Sequence, residues 1–70
     1  MKIDIISEDT SQSFDIEYET ANSKGRATLE MKDGGWQLTP RVGAETIWIA
    51  NKRIDFPEAL KRAIISLSML

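Results

Sequence analysis

The chain has 70 residues, with 9 Lys and Arg against 11 Asp and Glu, and neither cysteine nor histidine. That composition rules out disulfides, removes the usual zinc ligands and takes away the commonest general base and the best nucleophile. It leaves one domain, residues 1–70, whose thin core buries roughly 60% of the unfolded surface. A formal charge of −2 and an isoelectric point of about 5.0 argue against a general nucleic-acid binder. With no long apolar run and no charged-then-apolar leader, the expectation is a cytoplasmic chain without a membrane span or signal peptide.

Taken in chain order, Ile3 and Ile5 alternate with Lys2 and Asp4 and open a first strand. A loop through Glu8-Asp9-Thr10-Ser11 would set Ile5 against Phe14. The segment Phe14-Asp15-Ile16-Glu17-Tyr18-Glu19-Thr20 alternates apolar and acidic residues, the period-two signature of a strand with one buried and one wet face. Four loop residues, Ala21 to Lys24, would bring Tyr18 opposite Ala27 and Ile16 opposite Leu29. The next strand, Arg26 to Lys32, turns Ala27, Leu29 and Met31 inward.

Asp33-Gly34 is a favoured pair for a two-residue type I′ hairpin. It sets Lys32 against Gly35, Met31 against Trp36 and Leu29 against Leu38. A loop over Arg41 to Ala44 would then place Leu38 opposite Ile47 and Trp36 opposite Ile49. Asp55-Phe56-Pro57-Glu58 reads as a capping box with Pro in the first turn, which starts the helix near Asp55. Phe56, Ala59, Leu60, Ala63, Ile64 and Leu67 follow helical spacing and form a stripe that should cover the inward sheet face. The predicted fold is α+β, a five-strand antiparallel meander (about 2–50) with one C-terminal helix (about 56–69), βββββα.

Catalysis is not expected. The six serines fall in turns or on the helix with no activating base nearby, and Asp33-Gly34-Gly35 is explained by the hairpin rather than by phosphate binding. No cofactor or metal is called for. Attention therefore falls on surfaces, and charge is unevenly spread between them. Residues 1–35 hold eight acids against four bases, residues 36–70 three acids against five bases.

Alternation assigns Asp4, Asp15, Glu17, Glu19 and Glu30 to the outer sheet face, with Lys2, Arg26 and Lys32 interspersed and Glu19 available to pair with Arg26. Trp48, out of step with Ile47 and Ile49, joins that face near Gln37, as does Ile6. Asp15, Glu17, Glu19, Glu30 and Trp48 are the candidate partner-binding set. Their partner would be a basic protein, for instance one whose nucleic-acid site is being occupied. Ile65 and Met69 lie on the helix opposite the core stripe and mark an edge for a homodimer or a protein partner. Lys52 and Arg53, with Lys61 and Arg62, form the candidate nucleic-acid patch of the alternative function, in which Trp48 stacks on single-stranded bases.

In outline, a meander followed by one helix resembles the single-strand-binding dimers of the positive-cofactor-four type, although their sheet is basic and aromatic-bearing where this one is acidic. In profile (small, acidic, without catalytic residues) the chain is similar to phage- and mobile-element-encoded inhibitors, among them anti-CRISPR proteins and DNA mimics. The resemblance implies a non-enzymatic module that works by occupying a partner's surface.

Overall fold

Period-two alternation decides the sheet, and the turns decide its register. In a computed structural model, which describes residues 2–10, 12–41 and 45–69, five strands precede one helix. They are β1 (Lys2–Thr10), β2 (Ser13–Glu19), β3 (Lys24–Lys32), β4 (Gly35–Pro40), β5 (Ile47–Asn51) and α1 (Phe56–Ser68). The strands lie side by side in chain order, all antiparallel. The βββββα meander is therefore the fold, and the outer strands β1 and β5 stand about 19 Å apart at the usual strand spacing.

The β3–β4 hairpin has the expected register: Lys32 faces Gly35, Met31 faces Trp36 and Leu29 faces Leu38. Asp33 and Gly34 both take positive φ, 53° and 86°, as a type I′ turn requires. The other three pairings differ in offset. β2 and β3 set Ile16 against Ala27 and Phe14 against Leu29, with Tyr18 facing Gly25, two residues from the expected pairing. The cause is Thr20. Its hydroxyl accepts from the Asn22 and Ser23 amides and donates to the Ser23 carbonyl, while its own amide donates to that same carbonyl. This side-chain clasp closes the turn over residues 20–23 rather than 21–24.

At the first hairpin, β1 runs on to Thr10 instead of looping from Glu8, and Ile5 faces Ile16 rather than Phe14. The extra length is absorbed by irregularities at Ile6 and Asp9. Ser11, the last residue of the expected loop, lies outside the described residues. Leu38 faces Ile47 as expected, but one irregularity then sets Trp36 against Ala50 instead of Ile49. Of the expected loop Arg41 to Ala44, only Arg41 falls within the described residues. The offset of two between β2 and β3 preserves parity and keeps their inward residues. Each single-residue irregularity in β1 and β5 instead reverses parity beyond that point, so that Glu8 faces Phe14 and Ala50 takes the inward place expected of Ile49.

α1 starts where the sequence places it. Asp55 is the N-cap, its carboxylate accepting from the Glu58 amide at 3.2 Å, and Pro57 occupies the first turn. The Glu58 carboxylate does its work further along the helix, accepting from Arg62 Nε at 3.3 Å. Ala59, Ala63 and Leu67 are buried against the inward sheet face, with Phe56, Leu60 and Ile64 packed around them. Two alanines on the contact line let the helix lie close to the sheet. Its start is fixed by aromatics: Phe56 stacks on Phe14 with ring centroids 3.9 Å apart and also touches Trp36. Trp36 is buried, and its indole N–H donates to the Ile54 carbonyl at 2.7 Å, so the burial leaves no orphan donor.

Candidate functional site

Cross-strand neighbours share a face, so the register sorts the outer-face side chains into rows. One row is Lys2, Glu19 and Lys24; the next is Asp4, Glu17 and Arg26, extended by Arg41, whose amide donates to the Arg26 carbonyl. A third is Ser7, Asp15, Thr28 and Thr39, and a fourth is Ser13, Glu30, Gln37 and Trp48. The expected Glu19–Arg26 pair is replaced by Glu17–Arg26, 3.5 Å apart and half exposed, and Glu19 meets Lys24 instead. Lys2 approaches Asp4 at 4.0 Å. Exposed pairs of this kind contribute little to stability, so they leave the charges available.

The third row is different. The Asp15 carboxylate accepts from Ser7 Oγ at 3.1 Å and from Thr28 Oγ1 at 3.0 Å, and Thr39 and Thr46 bond through their hydroxyls. Asp15 is thus committed to a polar ladder across the sheet. Glu17 and Glu19, by contrast, are exposed. Together with Lys2, Asp4, Lys24 and Arg26 they line a shallow hollow of about 450 Å³ on this face. Glu30 sits one row beyond Asp15, facing Ser13 and Gln37.

Because the strands lie in chain order, the uneven charge along the sequence becomes uneven charge across the sheet. The β1–β2 hairpin, residues 2–19, carries six acids and one base; residues 20–69 carry five acids and eight bases. Taken whole, the outer face interleaves its acids with Lys2, Lys24, Arg26, Lys32 and Arg41, so the acidity is concentrated on the hairpin side. Glu8 and Asp9 lie on the same hairpin, but Glu8 faces Phe14 and so sits at the helix side of the sheet edge rather than on the outer face. A loop reading removed them from the sheet, and only the irregular pairing of β1 restores them.

Trp48 is the large outward aromatic, 55% exposed. Its benzo ring lies over buried Gly35 so closely that a Cβ there would run into it. The ring is seated at one edge and open on its upper side. Beside it, Gln37 donates to the Lys32 carbonyl at 2.7 Å.

The remaining candidates lie elsewhere. Lys52 and Arg53 occupy the turn between β5 and α1, held by Lys52 N–H to the Gly34 carbonyl and Arg53 N–H to Asn51 Oδ1. Lys61, Arg62, Ile65 and Met69 are on the solvent side of a helix that covers the inward face, and Trp48 is on the outward face. The four bases and the tryptophan do not form one patch, and Ile65 and Met69 belong to a different surface from Trp48. Among the described residues no group of His, Cys, Asp or Glu is placed to hold a metal ion, and no helix is long and apolar enough to cross a membrane. No family model, curated protein or solved structure matches the chain at a significant level.

Proposed function

We propose that this chain is a non-enzymatic protein-binding module that lays its β1–β2 side on a basic surface of a partner protein. In doing so it displaces the polyanion that surface otherwise holds. The observation that carries the reading is the charge of one sheet edge: six acids against one base over β1–β2, with Asp4, Glu8, Asp9, Glu17 and Glu19 all exposed. Glu17 and Glu19 stand about 7 Å apart on one face, a spacing set by the strand rise, which matches successive phosphates on a nucleic-acid strand. Trp48, on the same face and three strands away, supplies the kind of aromatic anchor on which interface energy concentrates.

The test is comparative capture from host lysate with two baits, the native chain and its Glu17→Lys/Glu19→Lys variant. The native bait should retain a basic protein that is released by added polyanion, and the reversed bait should lose it while keeping the native circular dichroism. Equal capture by both baits would remove the hairpin from the reading.

A further inference from the structure

An open sheet has two edges, and this one treats them differently. The β1 edge carries Lys2, Asp4, Glu8 and Asp9 and is broken by irregularities at Ile6 and Asp9. Charge and bulges are the devices that keep a strand edge from recruiting another chain. Antiparallel pairing of β1 with itself about its middle would also set Asp4 against Glu8 of the second copy, twice over, an unfavourable like-charge contact.

The β5 edge has a single irregularity, at Ile49, but neither charge nor proline along its length, Ile47-Trp48-Ile49-Ala50-Asn51, and closes the strand order with no strand beyond it among the described residues. Exposed Glu45 precedes it and exposed Lys52 and Arg53 follow it. We propose that β5 is a self-pairing edge: two copies join their β5 strands antiparallel across a two-fold axis into one continuous sheet.

The irregularity in β5 selects the register. Against β4, Gln37 faces Trp48 and Trp36 faces Ala50, so Ile49 is the extra residue. Ile47 and Ala50 consequently both face the core side. Thr46 bonds Thr39 on the outer side, and Asn51 faces Gly35 there. A two-fold axis midway between Trp48 and Ile49 then matches Ile47 with Ala50 and Thr46 with Asn51, inward with inward and outward with outward. It leaves outward Trp48 opposite the extra residue Ile49, which packs against the core, at the centre of the pairing. The same axis sets Glu45 against Lys52 of the second copy, with Arg53 next in line, so opposite charges meet at both ends. It also brings the two exposed Trp48 rings beside each other on the outer face, where each covers apolar surface of the other.

The experiment is sedimentation of the full chain over a wide concentration range. The native chain should reach twice its 7.9 kDa mass. Glu45→Lys alone, and Lys52→Glu/Arg53→Glu alone, should each weaken association by about tenfold or more, equivalent to about 1.4 kcal/mol. The three changes combined should restore it, since the charges again oppose. A native chain that stays monomeric, dimers indifferent to either reversal, or no recovery in the combined variant overturns the proposal. Amide exchange on the native chain gives a readout that no variant's folding can confuse. Protection of the outward-directed β5 amides should rise with protein concentration, and protection independent of concentration overturns the proposal equally. The β1–β2 reading does not enter this test, and either proposal can fail without the other.

Discussion

The Trp48 benzo ring and the Gly35 backbone are in direct contact, and the absence of a side chain at Gly35 is what allows it. An aromatic lying over a strand glycine shields backbone that the glycine would otherwise leave exposed. It also fixes the position of the exposed aromatic on the outer face.

Gly35→Ala should therefore be destabilising even though alanine suits a strand as well as glycine does. The added methyl meets the Trp48 ring and the Ala50 carbonyl, and overpacking of this kind costs about 1–3 kcal/mol. Urea unfolding measures the loss, and the exposed-tryptophan emission should shift as the ring is lifted. A variant as stable as the native chain, with unchanged emission, would show that the ring is not seated there.

The helix is tied to the sheet by the Phe14–Phe56 stack, tilted by 23°. Phe14→Ala should cost about 3–5 kcal/mol because the ring is buried, and Phe56→Ala less because it is partly exposed. In a double-mutant cycle the two changes should couple by about 0.5–1.5 kcal/mol, the usual value for an aromatic pair beyond its area. Additive losses would mean that the rings contribute through burial alone.

Why some pairings were legible in the sequence and others were not follows from what alternation can encode. It sets which face a side chain takes, and Trp36 inward and Trp48 outward both follow from it. It is blind to an offset of two, which keeps every face, so the position of Lys24 opposite Glu19 depended on the Thr20 hydroxyl closing the turn one residue early. Asp33-Gly34 escaped that ambiguity because a two-residue turn with positive φ at both positions admits one register. The irregularities at Ile6, Asp9 and Ile49 each add a single residue to one strand, and no residue type announces them. They keep Glu8 and Asp9 within the β1–β2 hairpin, Glu8 opposite Phe14, and set the parity of the β5 edge.

The start of α1 offers an independent check on local structure. Asp55→Ala removes the acceptor of the Glu58 amide and should cost about 1 kcal/mol, while Asp55→Ser or Asp55→Asn should cost little. For a chain of this size that loss lowers the melting temperature by about 4–8 °C. Equal melting temperatures for Asp55→Ala and Asp55→Asn would leave the cap without a role.

The last expectation separates structure from binding among carboxylates on a single strand. Asp15 receives two hydroxyl hydrogen bonds, whereas Glu17 has one half-exposed ion pair and Glu19 faces Lys24. Removing a charged acceptor strands both the Ser7 and the Thr28 donors, so Asp15→Ala should cost about 1–3 kcal/mol. Glu17→Gln should change stability by less than about 1 kcal/mol, since exposed pairs contribute so little. Partner capture should follow the opposite order: nearly intact for Asp15→Ala below its unfolding transition, and lost for the Glu17→Lys/Glu19→Lys reversal. If instead Asp15→Ala abolished capture at full fold, the ladder residue would be part of the contact surface, and the partner would have to reach past the Ser7 and Thr28 hydroxyls to touch it.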